Sequence, residues 1–268
     1  MIISVLNHTN GKIQDAEMQK VVRAVNRQIE EDFYPYWGMN ARLRLEGKSS
    51  TSPDPQSLAD MRGDAVLYLW SDVDVDNALG YHDQNNAGVP YGFIFTELCK
   101  QLKESWTVTL SHEALELIAD PEANLLVQGP HPDPQRKGDI VFHWYEMCDA
   151  VQGDTYWLDG VEVSNFVLPL YFTASDEVGG RNDFLGSVHK RKTLRSFGVN
   201  PGGYVGFFDP KKDSSDTFSL RGDAIAQKRR QIKAKAMTGR RLLRQESLQR
   251  PDRKHDAHHG RKAQGRRK

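Results

Sequence analysis

The 268 residues carry 36 Lys and Arg against 36 Asp and Glu, but the zero sum hides a split. Residues 221–268 hold 17 basic and 4 acidic residues, a net +13, which leaves residues 1–220 at −13. No apolar run approaches the ~18–20 residues of a membrane span, "MIISVLNHTNGK" lacks the basic start of a signal peptide, and Cys99 and Cys148 are too few for a disulfide framework. The composition thus excludes a membrane protein and a disulfide-stapled scaffold, and the expectation is a soluble cytoplasmic protein with an acidic body and a basic tail.

Ile2–His8 is apolar and β-branched and reads as a strand, broken by "TNGK". From Gln14 to about Phe33, Met18, Val21, Val22, Val25 and Ile29 recur at helical spacing. "ARLRLEG", residues 41–47, alternates at period two and reads as a strand; "DAVLYLW", residues 64–70, reads as a buried one. "GVPYGFIF", residues 88–95, reads as a further strand, placed at a sheet edge because Pro90 cannot donate to a ladder. A helix over Trp106–Ala119 follows, with Ser105 as N-cap and Asp120-Pro121 as its stop. Short apolar runs lie in 139–151 and 156–172, with a turn at Asp159-Gly160. The Gly- and Asp-rich stretch 173–220 reads as an irregular extension or linker, and 221–268 as a basic tail, helical and then disordered. The fold class expected is α/β of the α+β type, a mixed sheet with packed helices over residues 1–172.

The helix holds "TVTLSHEALELIADP", residues 107–121. With His112 at zero and about 100° per residue, Glu116 falls near 40°, Asp120 near 80° and Glu113 near 100°. Leu110, Ala114, Leu115, Leu117 and Ile118 occupy the rest of the circumference. His112 and Glu116, at i and i+4, can therefore ligate one metal ion. Glu113, one step round, can reach a water on that ion as general base, the logic of H-E-x-x-H metalloproteases. Here Glu116 stands in place of the second histidine. A carboxylate is a legitimate zinc ligand, and its hardness also admits manganese, iron or calcium.

The HExxE helix, the strands before it with the proline-marked "GVPYGFIF", and "EMCD" at residues 146–149 together resemble the zincin-like metallopeptidase superfamily, as an HExxE variant, over residues 1–172. The resemblance implies a zincin-like sheet, a zinc or other divalent ion, and a peptide or protein substrate. In zincins an edge strand pairs with extended substrate, which would give Pro90, Tyr91 and Gly92 substrate contacts. A zinc site needs a third protein ligand. Glu146 is favoured, with Asp149 and Asp120 as alternatives or supporting partners and His143 as a further candidate; Asp120 is equally placed to cap the turn. Cys148 reads as a small buried thiol lining the site, and His82 as a surface histidine.

Asp72, Asp74 and Asp76 have calcium-loop spacing, but Asn77 and Asp83 stand where an EF-hand needs Gly and Glu, so a solvated loop is the reading. The Lys and Arg of residues 221–268 suit phosphate backbones or an acidic partner, including the acidic body itself; His255, His258 and His259 read as incidental. Two functions follow. One is a metal-dependent hydrolase, foremost a zinc metallopeptidase. The other is a catalytically inactive zincin-like binding or assembly protein whose tail contacts nucleic acid or an acidic partner.

Overall fold

A computed structural model describes residues 1–57, 59–71, 80–136, 138–173 and 180–229. The protein is of mixed α+β class. Its first sheet contains β1 (Ile2–His8), β2 (Arg42–Glu46), β3 (Ala65–Trp70), β4 (Gly80–Gln84) and β5 (Pro90–Phe95), in the order β2-β1-β3-β5-β4. β1 runs parallel to β2 and β3, and β3 runs parallel to β5; β4 alone is antiparallel, against β5. β1 and β3 are central, covered on both faces, which is why they read as continuous apolar runs rather than alternating ones.

Helix α1 (Asp15–Arg27) and the later α4 (Trp106–Ala119) share one core with Ile3, Val5, Leu67, Leu69 and Ile94 of the sheet. The other face carries Leu6, Val66, Tyr68, Tyr91, Phe93 and Phe95, with Phe93 and Phe95 stacked at 5.7 Å. The helical periodicity after Asp15 changes pitch. Gln28–Phe33 is a π-helix, and α2 (Tyr34–Trp37) closes the segment. The wider turn brings Gln28, a polar residue, fully into the core. Between the first sheet and α4 lies a short α3 (Thr96–Gln101).

Two expectations are corrected here. The segment 88–95 is not an edge: β5 is paired on both sides, and the edge is β4. Pro90 is tolerated because it is the first residue of its strand, where no ladder donor is missed. Nor is 173–220 irregular throughout. β6 (Leu126–Pro130) and β7 (Ile140–Trp144) form an antiparallel sheet with two late strands. After the hairpin β8 (Thr155–Leu158) and β9 (Val161–Ser164), and the two-residue strands β10 (Val188–His189) and β11 (Lys192–Thr193), come β12 (Tyr204–Asp209) and β13 (Ser214–Ser219). The order of this second sheet is β13-β12-β7-β6. Asp159 and Gly160, with φ of 50° and 69°, make the β8–β9 turn, the two positive values that a tight hairpin favours.

Residues 224–229 are helical, with Ala226 and Arg229 buried; Arg229 Nε donates to Glu104 Oε1 at 2.7 Å. The rest of the basic tail and Asp72, Asp74 and Asp76 lie outside the described residues. Among the described residues, no helix is long and apolar enough to cross a membrane.

The start of β12 presses on the turn Asp149–Val151. Asn200 N donates to Ala150 O at 3.0 Å, and a Cβ on Gly203 would lie 2.3 Å from Ala150 O. Gly203→Ala is therefore expected to cost about 1–3 kcal/mol as an overpacking substitution, read as a Tm several degrees lower by calorimetry. An unchanged Tm would show that this contact has slack.

Candidate metal centre

α4 begins where the Ser105 hydroxyl accepts from Thr107 N, and every residue from Val108 to Ala119 is buried. Its polar stripe meets two segments. From one side comes the edge strand β4; from the other comes the loop after β7, with Glu146, Cys148 and the turn Asp149–Val151. His112 Nε2 lies 3.1 Å from Glu116 Oε2 and 3.3 Å from Asp149 Oδ1. Glu116 Oε1 accepts from Cys148 N at 3.1 Å, and the Cys148 thiol lies 3.9 Å from His112 O. Glu113 Oε2 faces His82 Nδ1 at 3.4 Å.

Among the described residues, donor atoms gather in two groups. His112, Glu116 and Cys148 each offer one atom within 4.8 Å of the others, and so do His82, Glu116 and Glu146. The buried His112–Glu116–Cys148 group could hold a metal ion. The 3.1 Å between His112 Nε2 and Glu116 Oε2 suits two corners of a tetrahedron with bonds of about 2 Å.

The expected ligand set is thus divided. Glu146, favoured as partner of His112 and Glu116, gathers instead with Glu116 and His82. Asp149 approaches His112 directly, and Cys148 offers a sulfur donor beyond the lining role expected of it. Asp120 takes the capping role: its oxygens accept from Asn124 N at 3.1 Å and Leu125 N at 2.8 Å. His143 is elsewhere, in β7, with Nε2 2.8 Å from Pro130 O and its ring 4.6 Å from Phe197; burial pushes its pKa down to about 4.

His82 is a correction. Read as a surface histidine, it is 1% exposed and faces Glu113. Its strand, "GYHDQ", is short and polar, so no hydrophobic run announced it. Period-two geometry is the signal that would have found it, because Gly80 and His82 fall on one face of β4. A Cβ on Gly80 would lie 2.7 Å from Glu113 Oε1, so only glycine lets the strand approach this closely. Gly92 stands opposite His82 in the ladder, and a Cβ there would lie 3.4 Å from His82 Cβ and 2.7 Å from Leu67 Cδ2. The backbone of Tyr91 and Gly92 is engaged in the sheet on both sides.

Burial alone would discharge both histidines, yet both pKa values rise. For His112 the carboxylates of Glu116, Asp149 and Glu113 outweigh desolvation and hold the value well above the ordinary one. For His82 the outweighing groups are Glu113, Glu146 and Glu116. Burial is also the main reason that the Cys148 thiol is pushed well up, with Glu116 adding to it. Asp120 is raised by burial against its two backbone bonds, and Glu146 adds to the rise.

Next to His112, Ser111 ties α4 to the π-helix. Its hydroxyl donates to Gln28 Oε1 at 2.7 Å and accepts from Ser164 N at 3.1 Å, while Gln28 Nε2 donates to Ser164 O at 2.8 Å. The ring of bonds fixes the rotation of the helix that aims His112. Ser111→Ala would leave Gln28 Oε1 and Ser164 N without this partner. The expected loss is about 1–3 kcal/mol per orphaned group, read by urea denaturation. A neutral substitution would mean that another partner takes over.

Comparison with protein families, with curated proteins and with solved structures returns no match to this chain.

Proposed function

We propose that the protein is a metal-dependent hydrolase, foremost a zinc peptidase of the zincin-like type with an HExxE helix. The observation that carries the reading is the buried convergence of His112, Glu116 and Cys148, with Glu113 on the next position of the same helix. The donor set fits a divalent ion. Imidazole, carboxylate and thiol are all zinc ligands, and Asp149 stands 3.3 Å from His112 Nε2 as a further oxygen donor or as the partner that orients the ring.

When bound, the ion would supply Lewis acidity, lowering the pKa of a water and polarising a carbonyl. The chain's own groups would do the rest. His112 and Glu113 each keep 4% exposure and Glu116 none, while Glu146 is half-buried and marks the more open side of the cluster. Glu113 would take a proton from the attacking water and pass it to the leaving group. His82, 3.4 Å from Glu113 Oε2, would hold that carboxylate in one orientation. Extended substrate would lie along β4, whose outer side has no strand partner among the described residues, by β-augmentation. This moves the docking strand from residues 88–95 to 80–84.

Elemental analysis of purified protein tests the metal assignment: Glu116→Ala is expected to lose most of the metal that wild type retains, and equal contents would refute the assignment. Glu113→Gln should keep the metal while peptide hydrolysis falls by about 10²–10⁴-fold, the usual worth of a general base. Undiminished turnover would remove Glu113 from that role.

The basic tail is proposed to contact a polyanion, nucleic acid foremost, through its phosphates. Since Ala226 and Arg229 are buried against the body, the truncation that isolates the tail removes 230–268 and not 221–268. Salt-sensitive binding of duplex DNA or RNA should disappear on that truncation with Tm unchanged. An intact chain without such binding would end the idea.

A further inference from the structure

We infer that the pocket is built for two divalent cations, with Glu116 shared between a site at His112 and Cys148 and a second site at His82 and Glu146. The inference rests on the metal-dependent reading above and adds an ion to it.

Three observations carry it. The first is geometric: His82, Glu116 and Glu146 bring one donor atom each within 4.8 Å of one another, as a group separate from His112, Glu116 and Cys148. Only Glu116 belongs to both, and a carboxylate has two oxygens with which to serve two ions. The second is His82 itself. It is 1% exposed, and its Nε2 is buried without a hydrogen-bond partner among the described residues. An imidazole nitrogen left this way costs free energy comparable to a lost hydrogen bond, which a coordinated ion would recover. The third is charge. The charged groups acting on the two histidines include the carboxylates Glu113, Glu116, Glu146, Asp149 and Asp120. With both imidazoles neutral, as ligation requires, a second divalent ion offsets carboxylate charge that one ion leaves. An uncompensated buried charge is far costlier than a paired one.

The two sites differ in hardness. Sulfur from Cys148 favours zinc at the first; an imidazole with two carboxylates at the second accepts zinc or manganese. Two-ion centres of this class clamp the attacking and leaving oxygens of a displacement from both sides. That places His82 and Glu146 as ligands rather than as packing around a single ion.

The test is stoichiometry. Full-length protein carrying His255→Ala, His258→Ala and His259→Ala, so that tail imidazoles add nothing, is stripped with chelator. It is then equilibrated with excess Zn²⁺, and in parallel with Mn²⁺, and ions per chain are counted by elemental analysis and native mass spectrometry. Two ions per chain are expected, falling to one in His82→Ala and in the near-isosteric Glu146→Gln. If His82→Ala does not fold, by circular dichroism, Glu146→Gln and the parent count decide. One ion in the parent, unchanged in both variants, overturns the second site and leaves the hydrolase reading standing. Two ions retained in both variants likewise overturn it, by placing the second ion elsewhere. No ion at all overturns both.

Discussion

Everything around α4 follows from gathering three buried carboxylates, two buried imidazoles and the half-buried Glu146 in one pocket. A charge moved from water into a protein interior costs several kcal/mol unless it is compensated, and these side chains have little contact with solvent to soften that cost. The compensation visible in the protein is mutual. His112 is held between Glu116 and Asp149 at 3.1 and 3.3 Å and His82 faces Glu113 at 3.4 Å, and in each case nearby carboxylates reverse the effect of burial on the pKa. The rest of the fold serves to keep these groups together.

Three separate devices do so, and all act on backbone placed far from α4 in sequence. The π-helix turns Gln28 inward to bond Ser111 and Ser164, fixing the helix rotation. Gly80 lets the edge strand β4 press its backbone against Glu113, which brings His82 alongside. Glu116 accepts from Cys148 N, while Gly203 and Asn200 hold the turn that carries Asp149. A π-turn, a glycine contact and a late antiparallel strand thus converge on one helix face. A π-turn at such a place agrees with the general tendency of these features to mark functional sites.

The second sheet explains why residues beyond 172 cannot be set aside as an extension. β12 pairs with β7 through Phe207 opposite His143 and Phe208 opposite Phe142, so the loop carrying Glu146, Cys148 and Asp149 leaves a strand that β12 braces. The same contacts account for His143. It is a core histidine of this sheet, kept neutral by burial, with Nε2 against Pro130 O.

The sequence by itself determined the elements whose signal is local. Trp106–Ala119 has caps and a polar sector that only an α-helix can align, β1, β3 and β5 are runs that a sheet must bury, and β2 alternates at period two. It also determined that His112, Glu113 and Glu116 share one helix face, since a period of 3.6 leaves no alternative. The tertiary structure decided which distant groups meet that face. His82 is in a five-residue polar strand with no hydrophobic signature, and its partners are about 30 residues on in α4 and beyond. Glu146 and Asp149 lie three residues apart in the same loop, yet they approach different histidines, a distinction made by the turn at Asp149–Val151 and not by spacing. Pro90 misled for a related reason: its missing donor excludes one ladder position, and only the pairing of the neighbouring strands shows that this position is the first residue of an interior strand.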